Sequence, residues 1–196
     1  MKPYTKKTID FYNKNIDTYI KEGAIVLNEK IDKFIKMLTG KKILDVACGP
    51  GHDTDYLTRK GFDCLGIDLS EKMIEYAKQK SMGKFEVMDF FKLDFEEKSF
   101  DGIWCSSALT HVHKEDINEL LHVFLKILKK SGILGIIVPA NQKRVKREKD
   151  TRIFTMFDIS ELNKFLTNNR FKVVNSELFT FNKIKWVFII AKKIEN

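Results

Sequence analysis

One segment near the start of the chain constrains the fold more than any other. Residues 43–54 read ILDVACGPGHDT, in which apolar residues typical of a β-strand end at a glycine-containing turn. A second apolar-edged segment, residues 62–67, ends in Asp68. Such a turn after one strand, with a carboxylate closing the next, is typical of an open α/β sheet that holds a nucleoside. Glycines let the ligand approach the backbone, and the acid accepts from both ribose hydroxyls.

The dinucleotide NAD is the obvious alternative ligand for this turn. Its fingerprint is G-x-G-x-x-G, and the third glycine position after Gly49 and Gly51 is occupied by Thr54. Asp45 also places a carboxylate at the strand end, where an anionic pyrophosphate would pass. A ligand with a positive amino group or sulfonium is instead attracted to that carboxylate. Both observations disfavour NAD.

The turn resembles motif I of the class I S-adenosylmethionine-dependent methyltransferases, acid-x-Gly-x-Gly-x-Gly. Here it reads DVACGPG over residues 45–51, with Ala47 in place of the first glycine. Further landmarks follow in the order that the family uses, at Asp68-Leu69-Ser70 and at residues 85–90, 99–107 and 128–138. The resemblance covers residues 40–193. It implies S-adenosyl-L-methionine as cofactor and S-adenosyl-L-homocysteine as product.

The resemblance also implies which residues bind the cofactor. Asp68 would bind the ribose, Asp89 would bind the adenine amino group, and residues 105–107 would lie under the methionine portion. Tyr12 and Tyr19, on a leading helix, would cover the cofactor or simply pack that helix onto the domain. The expected cofactor-binding residues are Tyr12, Tyr19, Asp45, Ala47, Cys48, Gly49, Pro50, Gly51, Asp68, Leu69, Ser70, Met73, Met88, Asp89, Phe90, Cys105, Ser106 and Ser107.

Methyl transfer requires few catalytic groups from the protein. A sulfonium methyl group is already activated, so in-line displacement in a closed pocket needs mainly orientation and exclusion of water. An acceptor that carries a proton is also helped by a general base. His111, after the fourth predicted strand, is the catalytic candidate; the alternative is a histidine at a helix start that hydrogen-bonds to backbone. No metal is expected, because no His, Asp or Glu cluster has metal-ligand spacing.

The rest of the chain predicts one compact domain with an N-terminal helical cover. Apolar residues recur at helical spacing before Gly40, which predicts a cover over residues 1–39 and a catalytic domain over 40–196. Helical and strand patterns then alternate, including a helix over 114–130 and closing strands at 171–174 and 186–191, joined by polar residues 180–185. This predicts a Rossmann-like, doubly wound α/β fold of three layers, mostly parallel with an antiparallel last strand.

Cysteine usage and hydropathy suggest a cytoplasmic location. The three cysteines lack any CxxC spacing, which disfavours structural zinc and a disulfide framework. No segment approaches the ~20 apolar residues of a membrane span, and no apolar stretch follows the basic N-terminus as in a secretory signal. These features predict a cytoplasmic protein without a membrane partner, and they carry no signal for its oligomeric state.

The charge balance keeps a second class of acceptor open. The net charge of +8 comes mostly from lysines spread along the chain, but residues 143–152 hold three of the five arginines. This basic segment fits a polyanion-binding loop or a solvated linker. A small-molecule acceptor is favoured, because the sequence indicates no separate substrate domain. Aromatic residues are also not interleaved in the basic segment as in an RNA-binding surface. Methylation of tRNA or another anionic macromolecule, or a catalytically silent cofactor-binding module, are the alternatives.

Overall fold

The structure, a computed structural model, describes residues 1–22, 27–141, 150 and 152–194. The helices are α1 Pro3–Lys14, α2 Ile16–Glu22, α3 Asn28–Ile35, α4 His52–Arg59, α5 Glu71–Lys80, α6 Ile117–Ile127 and α7 Ile159–Asn168, with 3₁₀ turns at Ala108–His111 and Lys114–Asp116. The strands are β1 Lys42–Val46, β2 Asp63–Asp68, β3 Lys84–Val87, β4 Phe100–Ser106, β5 Leu128–Pro139, β6 Phe171–Phe181 and β7 Ile184–Lys193.

Within the described residues these strands form one sheet in the order β3-β2-β1-β4-β5-β7-β6. Strands β1 to β5 pair in parallel, whereas β7 is antiparallel to both β5 and β6. The prediction of a mostly parallel sheet with an antiparallel last strand is confirmed. β1 lies between β2 and β4, so the strand order reverses there. Open α/β sheets bind ligands in the crevice beyond the strand ends at such a point.

Helices cover both faces of the sheet. The alternation along β1 shows this, since Ile43 belongs to an apolar cluster with Phe34 of α3. Its neighbour Leu44 belongs to another cluster, with Phe124 of α6 and Leu162 of α7. The three-layer arrangement is therefore confirmed. Helix α3 packs directly on the sheet, so part of the expected N-terminal cover is a layer of the sandwich; a domain boundary at residue 40 stays a prediction.

Two boundaries predicted from the sequence are wrong. The helix expected over residues 114–130 ends at Ile127, because Leu128 pairs with Phe100 of β4 and begins β5. The closing strands are also longer than expected: Thr180 pairs with Lys185, and only residues 182 and 183 make the turn. Both turn residues have positive φ, which suits a two-residue hairpin. β6 is an edge strand, and exposed residues alternate with half-buried ones along it. Its apolar pattern is therefore weaker than that of a buried strand, and the sequence predicts only its first residues.

Membrane and metal features were also expected to be absent. In the part of the chain that the structure describes, no helix is long and apolar enough to span a bilayer. In the same residues, no group of three or more His, Cys, Asp or Glu side chains is placed to hold a metal ion.

Candidate active site

Left-handed backbone conformations shape the turn after β1. The φ angles are 56° at Ala47, 53° at Gly49 and 87° at Gly51. A β-carbon added to Gly49 would meet no atom within 4 Å, whereas one added to Gly51 would lie 2.8 Å from Phe85. Gly49 therefore borders open space, while Gly51 lets the start of α4 approach β3 closely.

Asp68 ends β2 and holds the turn from its other side. Its carboxylate accepts the N–H of Gly49 at 3.0 Å and the N–H of Ser70 at 2.8 Å. Burial raises the pKa of the Asp68 carboxyl, and these backbone donors act in the opposite direction. Ser70 caps α5 as the sequence predicts, since its hydroxyl oxygen accepts the N–H of Met73 at 3.2 Å. The carboxylate is thus fixed by backbone at the edge of a pocket.

Two adjoining pockets lie beyond the strand ends. The space inside the first is about 710 Å³ and inside the second about 480 Å³, both counted together with space that opens to solvent. Both are lined by Tyr19, Ala47, Gly49, Ser106 and Ser107. The first is also lined by Thr5, Thr8, Ile9, Tyr12, Asp68, Leu69, Ser70, Met73, Phe90, Ala108 and His111. The second is also lined by Asp45, Cys48, Pro50, His52 and Asp53.

The structure thus brings together His111 and most of the residues expected to bind a cofactor. Four of the expected residues lie outside both linings: Gly51, Met88, Asp89 and Cys105. Cys105 is fully buried within β4. Asp89 accepts the N–H of Phe91 at 3.0 Å, and its other oxygen lies 3.3 Å from the N-terminal ammonium of Met1.

A chain of hydrogen bonds crosses the wall of the first pocket. His111 Nδ1 lies 2.8 Å from the carbonyl oxygen of Ile153, so Nδ1 carries the proton and donates. His111 Nε2 then accepts from the Tyr12 hydroxyl at 2.9 Å. The Tyr12 oxygen in turn accepts from Arg152 Nη1 at 3.1 Å. The backbone bond expected of a structural histidine is therefore present, and it orients the other nitrogen toward the pocket.

Of the basic segment, residues 143–152, the structure describes Asp150 and Arg152. The Arg152 guanidinium makes two hydrogen bonds to Asp150, at 2.9 and 2.7 Å, and lies 4.2 Å from the ring centroid of Phe11. Its side chain is 12% exposed. Arg152 thus faces α1 rather than solvent, whereas Arg144 and Arg147 lie outside the described residues.

Carboxylates dominate the second pocket. Asp45 is buried and accepts the Thr54 hydroxyl at 2.6 Å, and Asp53 accepts the indole N–H of Trp104 at 2.7 Å. Burial raises the pKa of Asp45 well above its usual value, and the charges of Asp53 and Asp68 raise it further. Burial raises the pKa of Asp53 to about 6. The side-chain donors to both groups are neutral, so neither offsets a negative charge in this pocket.

Comparison with known proteins connects this geometry to one family. A family model for a methyltransferase domain matches residues 43–132, from β1 into β5. The fold is similar to that of a Burkholderia thailandensis enzyme, 1,6-didemethyltoxoflavin-N1-methyltransferase, crystallised with 1,6-didemethyltoxoflavin and S-adenosylhomocysteine. The TM-score is 0.81 at 21% identity, covering 100% of this chain and 92% of that chain. The match to the methyltransferase-domain model includes β1, the turn after it and Asp68, and the fold is that of S-adenosylmethionine-dependent methyltransferases. The turn at residues 45–51 is here named motif I, after the segment that it resembles.

Two curated relatives of this chain are phosphoethanolamine N-methyltransferases. The phosphoethanolamine N-methyltransferase of Plasmodium falciparum is 29% identical over 172 residues, which are 82% of this chain and 65% of the relative. Phosphoethanolamine N-methyltransferase 1 of Zea mays is 32% identical over 122 residues, which are 59% of this chain and 24% of the relative. The chain thus spans less than two thirds of the length of these relatives.

Several residues that line the two pockets are not among those expected from the sequence. They are Thr5, Thr8, Ile9, His52, Asp53 and Ala108. Ile9, Thr8 and Thr5 precede Tyr12 by three, four and seven residues, so helical periodicity from Tyr12 indicates them. Asp53 opens the helix after motif I, and its place next to the turn was the available signal. The contact between Arg152 and Tyr12 spans 140 residues and leaves no local signal.

Proposed function

We propose that this chain binds S-adenosylmethionine in the two pockets and transfers its methyl group to a nitrogen atom of a small molecule. The observation that carries the proposal is the hydrogen bond between Tyr12 and His111 in the wall of the pocket that motif I and Asp68 also line. It supplies a proton acceptor beside a nucleoside-type site. A module that only binds the cofactor has no need of one.

The residues present fit the cofactor. Gly49 borders space that even one β-carbon would begin to fill, which matches a turn approached by a ligand. Each Asp68 carboxylate oxygen accepts one backbone N–H and has a further lone pair that can accept a ribose hydroxyl. Apolar side chains of Leu69, Met73 and Phe90 line the same pocket and would flank the adenine.

The cover over the first pocket favours a small acceptor. Tyr12 of α1 lines it, and the helix is held down at both ends. Near its start, the Tyr4 hydroxyl donates to Asp116 at 2.7 Å. Near its end, the Asn13 side-chain oxygen accepts the Ser70 hydroxyl at 2.6 Å. A lid tied down in this way shields the reacting atoms from water and leaves room for a molecule of metabolite size.

Tyr12 and His111 would then remove a proton from the acceptor. S-adenosylmethionine, when bound, supplies a methyl group on a positively charged sulfur, and in-line attack by an acceptor nitrogen releases the neutral thioether. The methylated nitrogen then gives its extra proton to the Tyr12 oxygen, as the Tyr12 proton passes to His111 Nε2. The bond to Ile153 keeps His111 in the tautomer that can accept it. Arg152 opposes the rise that burial causes in the pKa of Tyr12.

The relatives support nitrogen as the acceptor atom. The Plasmodium and Zea enzymes are named phosphoethanolamine N-methyltransferases, and the Burkholderia enzyme is named for N1 of its acceptor. Two of these names point to an amine that also carries a phosphate. Phosphoethanolamine and simple primary amines are therefore the first acceptors to test.

The proposal is tested by following the labelled methyl group of S-adenosylmethionine into a pool of small amines and, separately, into total tRNA. We expect nitrogen-linked label in the small-amine pool. A His111→Ala variant should bind S-adenosylhomocysteine as the wild type does and transfer much more slowly. Label in tRNA alone would support the macromolecular alternative. Cofactor binding without transfer to either pool would support a silent binding module.

A further inference from the structure

The second pocket contains one polar atom that the rest of the site leaves unused. Asp53 Oδ2 accepts the Trp104 indole N–H, but Asp53 Oδ1 is buried and has no hydrogen-bond partner in the described part of the chain. A buried carboxylate oxygen without a donor is costly, because burial removes its hydration and nothing replaces it. Asp53 also lines the second pocket. The oxygen therefore lacks a donor that a ligand in that pocket can provide.

The groups around Asp53 favour a positively charged ligand. The other carboxylate of the second pocket, Asp45, has a neutral hydroxyl, that of Thr54, as its side-chain donor. Two carboxylates that share a small pocket attract a cation and repel an anion. A primary ammonium suits them better than a compact metal ion, because it offers three N–H donors and needs no full shell of oxygen ligands.

The position of the second pocket identifies which ammonium this is. It shares Ala47, Gly49 and Ser106 with the first pocket, so one ligand can reach from Asp68 to Asp53. With the ribose at Asp68, the amino-acid end of the cofactor extends toward motif I. We propose that Asp53 binds the positively charged α-amino group of the methionine portion, and that Trp104 positions Asp53 for this contact. The inference rests on the proposed function.

Trp104 is suited to a positioning role. It is fully buried in β4, with its ring centroid 5.2 Å from that of Phe34 on α3. An indole donates through one N–H only, so it holds Oδ2 of Asp53 and leaves Oδ1 directed elsewhere. The core of the sheet thereby fixes a carboxylate at the first turn of α4.

The experiment compares two ligands that differ only in the amino group: S-adenosylhomocysteine and its des-amino analogue, with hydrogen in place of that group. Calorimetry should show that the wild type prefers S-adenosylhomocysteine by about tenfold or more, as for a hydrogen bond to a charged group. Asp53→Asn keeps an acceptor for Trp104 and should lose most of this preference while binding the analogue as before. Asp55→Asn, with the same charge change on the same helix and outside both pockets, is the matched control.

The possible outcomes distinguish a failure of this inference from a failure of the proposed function. Wild-type protein that binds neither ligand would contradict the proposed function. Equal losses for both ligands in Asp53→Asn would show a structural role and overturn the inference, as would an unchanged preference. A Trp104→Phe variant gives a second test, since it should reduce the same preference even if its thermal stability falls.

The pH dependence gives an independent readout. The titratable groups around Asp53 are Asp45, Tyr19, Cys64 and the adjacent His52. Burial raises the pKa of Asp53 to about 6, so a falling pH adds a proton and removes its attraction for an ammonium. The preference for S-adenosylhomocysteine should weaken as pH falls from 7 toward 5 in the wild type. A dependence of the same size in Asp53→Asn would assign the titration to Asp45 and count against the inference.

Discussion

The two halves of the candidate site are built in different ways. The strand-end half, Ala47–Gly51 with Asp68–Ser70, is joined by contacts such as that of Gly49 with Asp68, 19 residues apart. The cover half, α1 with His111 and Arg152, is joined by contacts across 99 and 140 residues. The strand-end half can be recognised from short sequence motifs. The residues of the cover half come together only when the chain folds.

The difference suggests a division of labour that substitutions can test. We infer that the strand-end half holds the cofactor and that the cover half receives the acceptor and its proton. Substitutions in the strand-end half should then change cofactor affinity. Substitutions in the cover half should change the rate of transfer and leave cofactor affinity nearly intact.

The largest effect is expected at Gly49. Gly49→Val places a branched side chain in the open space of the pocket, at a backbone φ of 53° that valine rarely adopts. Binding of S-adenosylhomocysteine should be lost, with the circular dichroism spectrum retained. Gly61→Val, at a φ of 84° in a turn away from both pockets, controls for the backbone strain. Binding retained in Gly49→Val would make the turn a mere connector.

The next effect concerns the proton path in the cover half. Tyr12→Phe removes the hydroxyl between Arg152 and His111 and should lower kcat by about a hundredfold, the size typical of general acid–base catalysis. Cofactor affinity should change little. Tyr4→Phe breaks another contact of α1, with Asp116, and is the matched control for helix docking. Equal losses in the two variants would mean that Tyr12 acts only through docking.

A smaller effect is expected at the ribose position. Asp68→Ala should weaken cofactor binding by roughly 1.5–3 kcal/mol, the range of a charge-assisted hydrogen bond. The fold should survive, because Asp68 ends its strand. Asp63→Ala, at the exposed start of the same strand, should bind normally. Unchanged affinity in Asp68→Ala, measured by calorimetry, would remove this residue from the site.

The smallest effect is expected from the basic segment. Replacing Arg144 and Arg147 by glutamine should leave both cofactor binding and transfer to small amines unchanged. RNA binding by the wild type should be weak, without sequence preference, and should fall steeply as salt increases. Filter binding over a range of salt concentrations checks this. Tight RNA binding that survives moderate salt and is lost in the double variant would promote the tRNA alternative.

The strand-end half could be predicted from sequence because its signals are local. Motif I, Asp68 and the Ser70 cap each occupy a few consecutive residues, and the alternation of helices and strands predicts the sheet. The role of Gly51 was less accessible, since only the folded chain shows it packed beside Phe85. The end of α6 was missed for a similar reason, because Leu128 leaves a helical pattern to pair with Phe100.

The cover half could be predicted only as candidates. The sequence singled out Tyr12 and His111 separately, but their contact needs α1 to lie across the strand ends. The sequence places Arg152 in a charged segment, whereas its guanidinium lies between Asp150 and the aromatic rings of α1. Asp53 was missed because its importance depends on burial and on Trp104. Burial and long-range pairing leave no pattern in a few residues.

Titration calorimetry of the wild-type chain with S-adenosylhomocysteine and with NAD tests the central claim most directly. A pocket built from motif I, Asp68 and the helix cover should bind one S-adenosylhomocysteine per chain and give no saturable heat with NAD. Saturable binding of NAD, or the absence of S-adenosylhomocysteine binding by folded protein, would contradict the account.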